Sequence, residues 1–261
     1  MRLLSTILTT ALPVIFLLNV TSSTAQNTRI TDRNTIGWYA YTGTIGLKGK
    51  WSVHTEAQWR RNEVITEPMQ LLLRAGVNYK VSDALSLQAG YGYITTYAYG
   101  DFPLNAFGKT FPEHRTFQTA TVSDHIGRID LTHRFRLEQR WVGKFASAAS
   151  DDVDSWVYTN RFRYMLRLQC PLQGKTLDDH EWYAAAADEI LLGFGKNVGE
   201  NVFDQNRMYL LLGYRFSKSV RLEAGYMEQI VQLGREVNNR NVFQYNSGLN
   251  VSGIFNINAF K

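Results

Sequence analysis

Residues 128–141 read Arg-Ile-Asp-Leu-Thr-His-Arg-Phe-Arg-Leu-Glu-Gln-Arg-Trp. Alternate positions fall into two sets. Arg128, Asp130, Thr132, Arg134, Arg136, Glu138 and Arg140 are polar, and most of them are charged. Ile129, Leu131, His133, Phe135, Leu137, Gln139 and Trp141 are largely apolar. A β-strand sends successive side chains to opposite faces, so this is one strand with a charged face and an apolar one. A soluble sheet hides its apolar face and hydrates its charges. A membrane barrel inverts this, with the apolar set toward lipid and the charged set lining the lumen. The pattern recurs along the chain, so the inverted arrangement is the constraint to carry forward.

The N-terminus agrees with export. Residues 1–25 open with Arg2, continue through an apolar run from Leu12 to Val20 and end Ser23-Thr24-Ala25. That is the layout of a secretory signal peptide cleaved after Ala25, which leaves 26–261 as a single barrel domain. No later stretch is long and apolar enough for a spanning helix, so any membrane crossing has to be made by strands. The chain carries 28 Lys and Arg against 23 Asp and Glu, a formal charge of +5. In an exported protein this mild excess does not point to nucleic acid. Cys170 is the single cysteine, which excludes an internal disulfide and thiol-pair chemistry.

Strands are expected at about 36–47, 51–60, 69–81, 85–97, 113–122, 127–141, 157–169, 181–192, 206–216, 219–230 and 241–257. Bacterial single-chain barrels have even strand numbers. The expected fold is therefore all-β, a closed antiparallel transmembrane barrel of about 10–12 strands, with twelve favoured. The extra strand would come from 27–35 or from a break at Asn246-Ser247-Gly248. Short turns are expected near Lys48-Gly49, Ser82-Asp83, Ser123-Asp124 and Ser217-Lys218, facing the periplasm. Longer, extracellular segments should follow Arg60, Tyr97, Trp141, Gly193 and Ile230. Trp38, Trp51, Trp59, Trp141, Trp156 and Trp182 sit near strand ends, as interfacial girdles require.

Several segments carry a family resemblance. They are Glu113-His114-Arg115 with Phe117-Gln118, and His133-Arg134-Phe135-Arg136-Leu137-Glu138-Gln139-Arg140. Asn160-Arg161-Phe162-Arg163-Tyr164, Asp188-Glu189-Ile190, Phe203-Asp204-Gln205-Asn206-Arg207 and Leu222-Glu223-Ala224-Gly225-Tyr226 follow in order. In these the chain resembles the Gram-negative outer-membrane family known as domain of unknown function 2490. The resemblance implies a β-barrel in the bacterial outer membrane and brings no activity with it.

The candidate site is the lumen. Arg134, Arg136, Glu138, Arg140, Arg161, Arg163, Arg167, Glu189, Arg207 and Glu223 fall on the faces assigned inward, as do Arg60, Arg74, Arg128, Arg215 and Arg221. An arginine excess inside a low-dielectric wall gives a positive potential, suited to small anions or an acidic ligand. The alternative is a plugged barrel in which Arg and Glu fill the interior as a ladder. The hairpin around 142–156 should set Glu138 across from Arg161 and Arg136 across from Arg163. The next connection should set Arg161 across from Glu189, which would place Arg161 between two carboxylates.

Other constellations carry less. His133 lies on the apolar face, where an outer-membrane lipid hydrolase would place it, but no serine flanks it. Asp151, Asp152 and Asp154 lack a calcium-loop pattern, and the five histidines lack zinc spacing. Gly193-Phe194-Gly195-Lys196 lacks the ending of a phosphate-binding loop. No cofactor is implied. The aromatic segment 98–112 could bind sugar or fold inward as a constriction, and is more simply read as packing on itself. The expected function is a non-enzymatic outer-membrane barrel surrounded by lipid, either structural or a narrow anion-preferring pore. The alternatives are an envelope-lipid enzyme and a periplasmic barrel holding an acidic lipid. Oligomeric state stays open.

Overall fold

In the computed structural model, residues 29–198 and 201–259 are described. The expected signal peptide and its cleavage after Ala25 fall outside the described residues. Eleven strands follow in chain order: β1 (Arg29–Gly46), β2 (Trp51–Asn62), β3 (Glu67–Lys80), β4 (Leu85–Thr96), β5 (Phe111–Ile126), β6 (Ile129–Lys144), β7 (Ser155–Pro171), β8 (Glu181–Phe194), β9 (Phe203–Ser217), β10 (Val220–Val237) and β11 (Arg240–Asn258). Each pairs with its neighbours, and β1 pairs with β11 to close the barrel. There is no helix among the described residues.

The expected twelve strands become eleven, and the fully antiparallel barrel gains one parallel seam. Residues 29–35 are the start of β1 rather than a separate strand, and β11 runs unbroken through Asn246-Ser247-Gly248. With an odd count the first and last strands point the same way, so β1 and β11 pair in parallel, from Arg29 opposite Asn241 to Gly46 opposite Asn258. Gly248 is not a turn residue but a close approach within this seam. A Cβ there would lie 1.8 Å from the Ile36 carbonyl oxygen.

One rim carries the connections 47–50, 81–84, 127–128, 172–180 and 218–219. The other carries 63–66, 97–110, 145–154, 195–202 and 238–239. The contrast in loop length is smaller than expected, because β2 and β10 extend past Arg60 and Ile230. The β10–β11 hairpin closes on Asn238-Asn239, both left-handed at φ 51° and 57°, as a tight two-residue hairpin turn requires. Ser123-Asp124 lie inside β5, and the turn falls at Gly127-Arg128 instead. Arg128 is therefore an exposed rim residue bonded to the Pro171 carbonyl, not a lumen residue.

Alternation sorts the side chains as the charge pattern demands. On β6, Arg136 and Glu138 are buried inside while Phe135 and Leu137 are exposed outside. Leu73 and Val77 on β3 and Leu210 and Leu212 on β9 also face outward and are exposed. Aromatic pairs bound this band at both ends. Toward the turn rim stand Trp51–Tyr79 and Trp182–Tyr214, with ring centroids 4.7 and 4.9 Å apart. Toward the loop rim stand Tyr39–Trp59, His114–Trp156 and Trp141–Tyr158, at 5.5, 4.7 and 5.3 Å.

The parallel seam is directly testable. In a Cys170→Ser background, cysteine pairs at Thr35/Ser247 and at Tyr41/Gly253 keep the same offset and should both form disulfides on mild oxidation. A seam with antiparallel strands would allow at most one of the two pairs to form.

Candidate functional site: a charged lumen

The barrel interior is filled at its waist by arginines and glutamates from β5 to β9. Long side chains need room across a narrow lumen, and small residues provide it: Arg161 is opposite Gly193, Arg167 is opposite Ala187, and Arg74 and Arg115 flank Gly92. Glu138, fully buried, is the centre. It accepts Arg161 Nε and Nη2 at 2.9 and 2.6 Å on Oε2, and Arg163 Nη1 at 2.7 Å on Oε1. Arg163 reaches on to Glu189, donating from Nε to Oε1 at 3.0 Å and from Nη2 to Oε2 at 2.8 Å. Arg134 Nη2 reaches the same carboxylate at 2.8 Å. Arg161 turns its remaining Nη1 to Asp204 at 2.5 Å. The planar guanidinium fork suits such shared carboxylates.

The β6–β7 register sets Glu138 opposite Arg161 and Arg136 opposite Arg163. The β7–β8 register does not set Arg161 opposite Glu189. Glu189 stands opposite Met165, four residues further along β7. Pairing continues to Pro171 opposite Tyr183, so this hairpin is centred on Leu177, further along than the expected bend. The cation held between Glu138 and Glu189 is consequently Arg163, while Arg161 lies between Glu138 and Asp204.

The other expected lumen residues lie above and below this layer. Arg140 binds Glu113, Nε to Oε1 at 2.6 Å and Nη2 to Oε2 at 3.1 Å. Arg167 Nη2 donates to Glu223 Oε1 at 2.5 Å, and the Tyr183 hydroxyl donates to the same oxygen at 2.7 Å. Arg136 meets no carboxylate within 4 Å among the described residues. It donates to Thr119 Oγ1 at 2.9 Å and Gln88 Oε1 at 3.2 Å, and sits 4.9 Å from the Phe117 ring. Arg207 donates to Gln205 Oε1 at 3.1 and 2.6 Å, with Glu189 more distant at 3.7 Å. Three partners escaped the sequence reading. Glu113 and Arg115 share one face of β5 with Phe111, Phe117 and Thr119, alternating with Pro112, His114, Thr116 and Gln118, a signal that was legible. Asp204 depends on an irregularity in the β8–β9 register between Leu191 and Leu192, which the sequence does not announce.

Segment 97–110 folds inward and does not pack on itself alone. Tyr99 is buried with Ile36, Trp38, Met69 and Met227. Its hydroxyl donates to Gln244 at 2.9 Å, and burial pushes the phenol above its ordinary range, so it stays a donor. The Phe102 carbonyl accepts Gln244 Nε2 at 3.0 Å, and the Pro103 carbonyl accepts Arg235 Nη2 at 2.9 Å. The segment thereby caps the side of the lumen formed by β1, β10 and β11. A 240 Å³ cavity remains beside it on the loop-rim side of the waist, lined in part by Arg60, Glu113, Arg115, Arg140, Lys144, Asp204 and Arg207.

His133 faces outward, with Nδ1 2.9 Å from the Tyr164 hydroxyl. Asp154 is tied into its loop by the Ala146 N–H at 2.7 Å, which together with Ser150 holds its carboxyl below the usual range. Among the described residues no group of three or more His, Cys, Asp or Glu side chains is placed to hold a metal ion.

The waist predicts a contrast. Arg163→Met removes the cation shared by two buried carboxylates, leaving Glu138 to Arg161 and Glu189 to Arg134, and should destabilise the folded barrel by about 2–3 kcal/mol. Arg136→Met removes a buried cation with neutral partners and should melt close to the parent. Combining Arg163→Met with Glu138→Gln and Glu189→Gln should cost less than the sum of the three. Melting in detergent, followed by heat-dependent gel migration, measures all of these; additive losses would disprove the shared network.

The chain is 26% identical over 229 residues, 84% of either chain, to an uncharacterized protein of Methylorubrum extorquens. It is similar to the NanC porin structure at 11% identity and a TM-score of 0.44, covering 84% of this chain and 97% of that one. The model of the family described as Protein of unknown function (DUF2490) matches residues 35–240, and the chain belongs to that family.

Proposed function

We propose that this protein is a non-enzymatic β-barrel of the bacterial outer membrane, surrounded by lipid and closed at its waist in the resting state. The observation that carries this reading is the phase of the alternation. Charge points inward and leucine, valine and aromatic side chains point outward, between two aromatic girdles. A soluble barrel holding a lipid in its interior would need the opposite phase. The strands, from 12 residues in β2 to 19 in β11, exceed the roughly 9–11 needed to cross tilted. Glu138 at 0% and Arg161 at 1% exposure favour a plugged lumen over an open pore. An enzymatic role on envelope lipid has less support, because His133 is partnered by a tyrosine and flanked by Leu131 and Phe135. Nothing in the charge distribution calls for a nucleic-acid partner.

A narrow anion path is the second reading, favoured by the arginine excess inside. The two separate in planar bilayers. The parent should show no steady conductance, whereas replacing Glu138, Arg161, Arg163 and Glu189 together by serine should open a path preferring anions at low salt. Steady anion currents in the parent would favour the narrow-pore reading.

Membrane residence and orientation are tested on cells. The protein should sediment with outer membrane, and its recovery in the soluble periplasm would sink the proposal. In a Cys170→Ser background, Ala148→Cys in the loop rim should react with an impermeant thiol reagent on intact cells. Lys218→Cys in the turn rim should react only after lysis.

A further inference from the structure

The cavity beside segment 97–110 carries an imbalance of charge that its own walls do not resolve. Five cationic side chains line it, Arg60, Arg115, Arg140, Lys144 and Arg207, against two carboxylates, Glu113 and Asp204. Both carboxylates are already shared. Glu113 is held by Arg115 and Arg140, and Asp204 by Arg161 and, at 3.9 Å, by Arg140. Among the described residues no carboxylate lies within 4 Å of the charged groups of Arg60 or Lys144, and Arg207 has only Glu189 at 3.7 Å.

Arg60 and Arg207 are the informative pair. Each is 5% exposed. Each packs its guanidinium over the same indole, that of Trp38, at 3.8 and 5.0 Å from the ring centroid. Their acceptors are neutral amides: Gln58, at 2.9 Å from Arg60 Nε, and Gln70 for Arg60, and Gln205 for Arg207. Two buried cations on one ring repel each other, and glutamine oxygens and an aromatic face offset that only in part. The Thr159 hydroxyl lines the same space and has no partner among the described residues. Guanidinium groups without a close carboxylate and an unpartnered hydroxyl around one cavity supply the donors and positive charge that suit an oxyanion.

We propose that this cavity is a binding site for a small oxyanion, a phosphate or carboxylate group on a compact body, held chiefly between Arg60 and Arg207, with Lys144 at the entrance. The volume sets the size class. The 240 Å³ cavity is many times the roughly 10–15 Å³ that one water needs and is still small beside a polymer. Inorganic phosphate or a four-carbon diacid fits, whereas a polysaccharide or a polynucleotide does not. The rim of the cavity includes Tyr99 and Leu104 of the inward segment and Asn197 and Val198 of loop 195–202. The site is therefore reached from the loop rim and does not require passage through the waist. The proposal stands apart from membrane residence and from the conductance of the waist, because the lining residues come from the barrel and its own loops.

The test is calorimetric titration of the full folded protein in a neutral detergent at low ionic strength, with inorganic phosphate and succinate as separate probes and glycerol as a neutral control. Saturable binding of at least one anion, none of glycerol, and weakening with added sodium chloride are expected. Arg60→Lys and Arg207→Lys keep the charge but lose the fork, and each should weaken binding about tenfold. Lys144→Gln should weaken it less, and Arg128→Gln, on the turn rim and bonded there to the Pro171 carbonyl, should leave it unchanged. Heat-dependent gel migration verifies that each variant is folded. Absence of saturable binding by either anion overturns the proposal. So does binding that Arg60→Lys, Arg207→Lys and Lys144→Gln leave as tight as in the parent. Phosphate binding without succinate binding, or the reverse, assigns the headgroup chemistry within it.

Discussion

The buried carboxylate of Glu138 organises this barrel. A charge so far from water is tolerable only when it is paired and fully hydrogen-bonded, and Glu138 meets that condition through Arg161 and Arg163 together. Each arginine then needs a second acceptor for its remaining donors. Asp204 serves Arg161, and Glu189 serves Arg163. The chain of obligations ties β6, β7, β8 and β9 across the lumen and leaves the waist filled. Buried ion networks of this kind contribute little net stability compared with an apolar filling. Their consequence here is geometric: they fix which strands face each other across the interior, and they occupy the path that a pore would need.

The rest of the lumen is arranged around that layer. Toward the turn rim, Arg167, Tyr183 and Glu223 form a smaller group. Toward the loop rim, segment 97–110 comes down on one side, pinned through Tyr99, Phe102 and Pro103. The opposite side stays open as a basic cavity. A charged layer filling the waist, with a cavity on its loop-rim side, distinguishes this interior from a uniform water-filled tube.

How much of this could be read from the chain depends on how local each feature is. The inward and outward faces of β6 were legible because alternation within one strand needs no partner. The opposition of Glu138 and Arg161 was legible because the two strands join through one loop whose centre is set by the flanking patterns. The opposition of Glu189 was not, because β7 continues to Pro171 and moves the centre of the next hairpin. Slippage by an even number of residues keeps every side chain on its face, so the hydrophobic pattern cannot detect it.

The sequence by itself determined the class of the molecule. Period-two alternation of charged and apolar residues over eleven segments leaves a barrel with a polar interior as the arrangement that satisfies both faces, and it identifies most of the arginines and glutamates that fill it, though not Glu113 and Arg115. Only the tertiary structure decided the closure, the pairing and the cavity. The parallel β1–β11 seam joins the two ends of the chain, and no hairpin signal marks it. Segment 97–110 turns inward because its anchors, Asp32, Arg235, Gln244 and Asn246, lie on strands far away in sequence. Which guanidinium groups find a carboxylate and which are left with glutamine follows from register and bulges. Those are collective properties of the closed sheet, set by every strand at once rather than by any one stretch of residues.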